Sequence, residues 1–277
     1  NQYQLALNSS LFGHRLQVGL EGFQNYAYDL IIPQEISSIY ASDNYFANVA
    51  AIATKGFTAS LRTAIVDTKK FGWTLGGNIT FNKSVVKDLG EQDEMDITFG
   101  GISENEDAIV KMKVGEAPYQ FYGYKTDGIY QTSQEAAQAG LSSVYNTRYQ
   151  AGDVKFVNTH DQDNVINEQD KVLLGSSRPD YFGSVFSTLR FGKLSLSAQV
   201  NYSIGGKIYN AVRRQLESME NFHNQSTAVL NRWQMEGQNT TMPRAVYGDP
   251  NGNNIFSDRW LEDATYAKLG SLTLNYA

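Results

Sequence analysis

The sequence predicts an all-β chain, part of an antiparallel transmembrane β-barrel with long extracellular loops. Three observations carry this expectation. Short segments alternate apolar and polar side chains, tight turns join them in pairs, and much longer connections separate the pairs. The clearest segment, Leu194 to Ile204, reads Leu-Ser-Leu-Ser-Ala-Gln-Val-Asn-Tyr-Ser-Ile, apolar at every even number and polar at every odd one. A strand points alternate side chains to opposite faces. Leu194, Leu196, Ala198, Val200, Tyr202 and Ile204 are therefore assigned to lipid, and Ser195, Ser197, Gln199, Asn201 and Ser203 to the lumen. A tilted membrane strand needs about nine to eleven residues, which this segment supplies.

Taken in order, the first pair places Tyr3, Leu5 and Leu7 on one face, then a turn near residues 10 to 13. Its return strand sets Leu16, Val18 and Leu20 opposite Gln17, Gly19 and Glu21. The second pair has Phe57, Ala59 and Leu61, a turn at residues 67 to 70, then Phe71, Trp73, Leu75, Ile79 and Phe81. The third runs from Tyr181 to Phe191, turns at Gly192-Lys193 and returns along Leu194 to Ile204. Each pair reads as a hairpin from its pattern and turn chemistry. Between the pairs lie residues 24 to 54, 82 to 180 and 205 to 265. Compact soluble domains seldom contain such connections, whose median is about four to six residues. Outer-membrane barrels alternate short periplasmic turns with long extracellular loops.

Within the loops, Ile208, Val212, Leu216 and Met219 fall at helical spacing, and Ser226 is placed to cap a second short helix carrying Val229 and Trp233. Both read as packing against the barrel rim. Asp88, Glu91, Asp93, Glu94, Asp96, Glu104, Glu106 and Asp107 form an acidic run without a base, read as a solvated loop. Trp73 and Tyr202 read as girdle residues, whose amphipathic rings suit a bilayer interface.

No apolar run is long enough for a membrane helix, a test that barrels escape because lumen-facing residues dilute the apolar ones. The 17 Tyr, 14 Phe and 24 Gly favour β structure and would equally suit a soluble β-sandwich. A net charge of -6 and the lack of a basic run argue against a nucleic-acid partner. There is no cysteine, so disulfides and thiolate metal sites are excluded. The chain starts within one strand-like run and stops within another, without a visible signal peptide, and is expected to be an internal fragment.

The loops carry recognisable words. Val114-Gly115-Glu116-Ala117-Pro118-Tyr119-Gln120-Phe121-Tyr122-Gly123-Tyr124 is followed by Asp127-Gly128-Ile129-Tyr130-Gln131, then Gly152-Asp153-Val154-Lys155-Phe156. Leu174-Gly175, Pro179-Asp180-Tyr181-Phe182-Gly183, Asn231-Arg232-Trp233 and Pro243-Arg244-Ala245 continue the order. Arg259-Trp260-Leu261-Glu262-Asp263-Ala264-Thr265-Tyr266, Leu269 and Leu272-Thr273-Leu274-Asn275-Tyr276 complete it. Together they resemble the SusC/RagA-type TonB-dependent transporters. The resemblance implies that residues 1 to 277 are a later part of a ~22-stranded barrel. The plug domain, the TonB box and the remaining strands would then lie outside this chain. It implies import of a glycan, oligosaccharide or peptide across the outer membrane of Bacteroidota. The implied partners are a SusD-like surface lipoprotein, TonB–ExbB–ExbD acting through the plug, and outer-membrane lipid.

Residues 159 to 170 read as the best site-like stretch, because oxygen ligands at alternate positions suit a hard cation. Asp161, Asp163, Asn167 and Asp170 are the candidate ligands of a structural Ca2+; no cofactor is otherwise required. Thr159 replaces the usual first acid, and Asn164 replaces the turn glycine, a position where Asn can adopt the left-handed conformation. A metal-free Asx-rich turn is the competing reading. Trp233, Tyr247, Phe256 and Trp260 are candidate substrate contacts, stacking on sugar rings or meeting a peptide; rim packing and contacts to the lipoprotein compete. His14, His160 and His223 are scattered and no catalytic motif is present, so an enzyme is not expected. Two further functional readings are a passive porin-like channel and a soluble all-β carbohydrate-binding module.

Overall fold

The computed structural model describes residues 1–35, 44–97, 110–160 and 163–277. Strands β1 (Gln2–Leu11), β2 (Leu16–Glu35), β3 (Asn44–Asp67) and β4 (Phe71–Leu89) follow one another as antiparallel neighbours. A long excursion then carries β5 (Glu94–Ile97), β6 (Val110–Lys113), β7 (Gln120–Gly123), β8 (Thr126–Ile129), helix α1 (Ser133–Ala139), β9 (Val154–Phe156) and β10 (Val172–Ser176). β11 (Tyr181–Phe191) and β12 (Leu194–Ile204) rejoin the wall, β11 pairing with β4. β13 (Lys207–Tyr209), α2 (Ala211–Glu217) and β14 (Leu261–Asp263) precede the last wall strand, β15 (Tyr266–Tyr276). The wall is an open seven-stranded antiparallel sheet, ordered β1-β2-β3-β4-β11-β12-β15.

Its register keeps the two faces separate across every pairing. One row runs Leu7, Leu20, Ala59, Ile79, Gly183, Tyr202 and Ala267. The next runs from Val18 through Leu61, Gly77, Val185 and Val200 to Leu269. Among the described residues nothing covers this apolar face: Leu5, Phe57, Val185 and Leu272 are all exposed. The other face is stitched by short polar side chains. Thr58 and Thr80 hydroxyls meet at 3.1 Å, Thr54 and Ser84 at 2.7 Å, and Thr188 and Ser197 at 3.1 Å, while Asn78 Nδ2 donates to Ser184 Oγ at 3.0 Å.

Aromatic pairs bound the apolar face at two levels. Phe71 and Phe191 stack with centroids 4.9 Å apart beside the short turns, and Phe81 and Tyr181 with centroids 5.4 Å apart near the other end. Ten residues separate the levels along β4, roughly 33 Å of strand, or about 25 Å of height at a usual barrel tilt of about 40°. Trp73 lies on this face near the lower level, its Nε1 donating to Ser187 Oγ at 3.1 Å. Tyr202 lies below the upper level and covers Gly183, its hydroxyl donating to the Asn78 carbonyl at 2.9 Å. A Cβ at Gly183 would stand 2.0 Å from that carbonyl oxygen, so only glycine fits there.

The strands outrun their expected ends. Residues 24 to 54 were expected as a loop, yet β2 continues to Glu35 and β3 starts at Asn44. Register shifts between Ala27 and Ile31, with Asp29 at φ +55°, swap the faces there, so a simple period of two breaks although pairing continues. β4 likewise runs past Phe81 to Leu89. This extension buries Ile32, Ala50, Val86 and Leu89 against Met112.

The excursions fold into a lobe at the long-loop end. Tyr124, Ile129, Tyr130, Tyr149, Val154, Phe156 and Ile166 form its core. α2 occupies the expected helical segment, capped by Asn210, whose Oδ1 accepts from Arg213 N at 2.9 Å. Only part of the expected apolar stripe is covered: Ile208 lies in β13 and is exposed, as is Val212, while Met219 is buried just past the helix and Glu217 is buried within it. Arg213 turns the helix, bridging Glu217 at 3.2 Å and Glu262 at 3.1 Å. Ser226 caps a 3-10 turn over Thr227–Asn231, which ends before Trp233. In the acidic run, Glu94 pairs with Lys111 across β5 and β6 at 2.9 Å, so part of it is structured rather than merely solvated. Glu104, Glu106 and Asp107 lie outside the described residues.

Candidate functional site

The loop words assemble around one buried carboxylate. Asp153 is fully buried. Arg244 reaches it twice, Nε to Oδ1 at 2.7 Å and Nη2 to Oδ2 at 3.1 Å. Asn253 Nδ2 donates to Oδ1 at 3.0 Å, Gln150 N donates to Oδ2 at 2.8 Å, and Asn251 Nδ2 also donates to Oδ2. A charge taken out of water must be matched this fully, or burial would protonate or expel it. Neighbouring Gly152 adopts φ +86°, and a Cβ there would stand 2.5 Å from the Trp233 ring. Arg244 N donates to the Gly152 carbonyl at 2.8 Å, and Trp233 Nε1 to the Gln131 carbonyl at 3.2 Å.

The remaining words act similarly. Val86 N donates to the Glu116 carbonyl at 2.8 Å and Gly115 N to the Val86 carbonyl at 2.9 Å, clamping the lobe onto the end of β4. Gly123 lets Phe256 approach, since a Cβ would meet that ring at 2.5 Å. Burial shifts a few of the lobe's ionisable groups. It pushes Tyr130 up to about 12 with help from Glu135, and it raises Asp249 despite backbone donors from Asn254 and Asn253.

This geometry leaves most of the expected substrate contacts buried or half-buried. Trp260 is fully buried, with the Arg259 guanidinium 4.3 Å from its ring and Arg213 at 5.7 Å. Burial, helped by Arg213, pushes Arg259 down to about 10. Phe256 is buried against Tyr209 and Phe121. Trp233 is half-buried, with its ring on Gly152. Residue type selected these positions, but their rings already pack on this chain. Tyr247 does stand free: it is 70% exposed, beside Phe222 at 92%, with ring centroids 5.1 Å apart. Sequence reasoning missed Phe222; its one signal is an aromatic alone in the polar run Glu220-Asn221-Phe222-His223-Asn224.

Two hollows open on the described surface. One, about 450 Å³, is lined by Asn231, Gln238, Asn239, Thr240 and Thr241 on the lobe. The other, about 460 Å³, lies along the sheet among Asn8, Ser10, Gln17, Ser60, Arg62 and Phe186. Amides and hydroxyls dominate the lobe hollow, which suits hydrogen bonding to an uncharged polar ligand, whereas Val18, Leu61 and Phe186 make the wall hollow largely apolar.

The calcium-type loop is closed by its own backbone. Asp170 is fully buried; Oδ1 accepts from Thr159 N at 2.7 Å and His160 N at 3.3 Å, and Oδ2 from Asn167 N at 3.0 Å. Asn167 Oδ1 accepts from Gln169 N at 2.8 Å, and Asp163 Oδ1 from Val165 N at 2.8 Å. Asn164 does take a left-handed φ of +63°. Asp161 lies outside the described residues. Among the described residues no group of three or more acids and histidines is gathered to hold a metal. Oxygens already accepting from N–H groups are poorer cation ligands, which counts against calcium at Asn167 and Asp170.

Two outcomes follow for the intact protein. Replacing Asp153 by Ala leaves Arg244 without its counter-charge and should cost about 3–5 kcal/mol, read as a lowered midpoint of unfolding; an unchanged midpoint would refute the hub. Removing divalent cations with EDTA should leave the unfolding temperature where it was. A drop reversed by Ca2+ would restore the calcium reading.

No protein-family model matches the chain. It is 26% identical to the TonB-dependent receptor P26 of Formosa agariphila, over 100% of this chain and 27% of that protein. It is 22% identical to the TonB-dependent receptor SusC of Bacteroides thetaiotaomicron, over 99% of this chain and 25% of that protein. Its fold matches a chain of the RagAB peptide transporter with a TM-score of 0.77 at 19% identity, covering 99% of this chain and 28% of that one. The chain thus spans about a quarter of the length of these relatives, which are receptors and transporters rather than enzymes. In sequence the chain is similar to a stretch of these TonB-dependent receptors, and in fold to a stretch of the RagAB transporter chain.

Proposed function

We propose that this chain supplies wall and extracellular loops to an energised importer in the Gram-negative outer membrane. One observation carries the membrane assignment: the bare apolar face of the seven-stranded sheet, bounded by aromatic pairs about one hydrocarbon thickness apart. Monomeric soluble proteins rarely expose a contiguous apolar patch beyond a few hundred Å², which counts against the carbohydrate-binding module. No described helix is long and apolar enough to cross a membrane, so any crossing falls to the strands. In the proposed arrangement, further strands from the rest of the protein close a ~22-stranded barrel, with the polar face as its lumen.

The cargo in this reading is a nutrient, an oligosaccharide or a peptide. The hydroxyl- and amide-rich lining of the lobe hollow supports an uncharged polar ligand of either kind. The similarity to these receptors and transporters supports the rest of the cycle. A SusD-like lipoprotein closes over the lobe, cargo is held between them, and TonB–ExbB–ExbD pulls on a plug carried by another part of the protein. The lobe's buried Asp153–Arg244 hub suits a rigid rim against which a lid can open and shut.

The passive channel shares every strand and differs in having no plug upstream, and so in energy dependence. Uptake should therefore be measured in cells expressing the intact protein, with and without TonB. Loss of uptake to background without TonB is expected. Undiminished uptake would overturn the energised reading in favour of the channel.

A further inference from the structure

Two lysines share a place that the structure otherwise reserves for opposite or neutral partners. Lys55 of β3 stands directly across from Lys83 of β4. Like charges directly opposite in an antiparallel pair repel, so this juxtaposition is unfavourable unless an anion lies between them. Lysines of the lobe are matched: Lys111 with Glu94, Lys155 with Asp127 and Glu135, Lys171 with Glu168. Among the described residues, neither Lys55 nor Lys83 has a carboxylate within ion-pair distance, and both are exposed.

Their level on the wall decides what anion can reach them. Strand alternation puts Lys55 on the face of Phe57, and Lys83 on the face of Phe81. The opposite face at that level is taken by the Thr54–Ser84 hydroxyl contact. Both lysines lie two residues beyond the upper aromatic level, towards the long loops, about 7 Å further along the strands and roughly 5 Å higher after tilt. The same row continues through Gln24 to Tyr3, both exposed, adding an amide and a phenol donor. Cationic stems on apolar wall with heads at the interface are the arrangement in which lysine reaches lipid phosphates.

We propose that Lys55 and Lys83 clamp the phosphate of an anionic lipid headgroup in the leaflet facing the long loops. The proposal rests on the membrane reading above and adds to it a specific lipid site on the outer wall. The phosphate would sit between the two ammonium groups and relieve their repulsion, with the acyl chains lying over Phe57, Phe81 and the apolar rows beneath.

The test uses the intact protein in detergent, with lipid A, dephosphorylated lipid A and inorganic phosphate as probes, and binding read by native mass spectrometry and thermal stabilisation. The double variant Lys55→Gln, Lys83→Gln should bind lipid A roughly tenfold or more weakly than the wild type. Dephosphorylated lipid A should bind both proteins equally. A control in the β3–β4 turn, Lys69→Gln with Lys70→Gln, should bind lipid A as the wild type does. Equal lipid A binding by wild type and the Lys55/Lys83 variant would overturn the proposal. So would stabilisation by inorganic phosphate matching that by lipid A, which would make this a soluble-anion site. Purification without detergent would instead remove the membrane reading itself, an outcome distinct from either.

Discussion

A β-sheet satisfies its backbone through its neighbours, but each of its faces must still find a medium it can tolerate. In this wall the register holds apolar side chains on one face across all seven strands, from Leu7 in β1 to Leu269 and Leu272 in β15. Among the described residues nothing covers them. The remaining features follow from that constraint. Aromatic pairs mark where the apolar medium ends, hydroxyl contacts fill the other face, and folded loops gather at only one end. Register is preserved even where strands bulge. The shift between Gln199 and Val200 absorbs an extra residue in β15, so that Leu269 and Leu272 lie on the same face despite their odd spacing.

The lobe answers a different demand. Its segments are too irregular to satisfy their backbone by ladders, so buried side chains do it. Asp153 gathers Arg244, Asn251 and Asn253 from segments about a hundred residues away, and Asp170 closes its loop by accepting three backbone N–H groups. These carboxylates specify shape. The groups left free for other molecules are the Phe222–Tyr247 pair, the two hollows and the lysines above the aromatic level.

The hairpins were legible in the sequence because a period of two and a tight turn are local signals. Turns after Leu11, Asp67 and Phe191 came out where the pattern put them. The extended ends of β2, β3 and β4 were not legible, since the bulge around Asp29 exchanges faces without ending the ladder. The loop words were recognisable as a resemblance, but their physical role was hidden. A sequence does not distinguish a tryptophan that faces a ligand from one packed beside two arginines, so Trp260 and Phe256 read as candidate contacts although both are buried. Asp153 could not be singled out, being one acid among 29 until the fold brings Arg244 to it.

The central claim is that one face of β12 meets lipid and the other water. The chain contains no cysteine, so single-cysteine variants at positions 194 to 204 add one unique label each to this stretch. With the intact protein reconstituted in bilayers and spin-labelled, collision with dissolved oxygen reports lipid exposure, and collision with a water-soluble nickel chelate reports aqueous exposure. The account predicts oxygen access at even positions and nickel access at odd ones, alternating along the strand. Nickel access at every position, or no alternation, would contradict it.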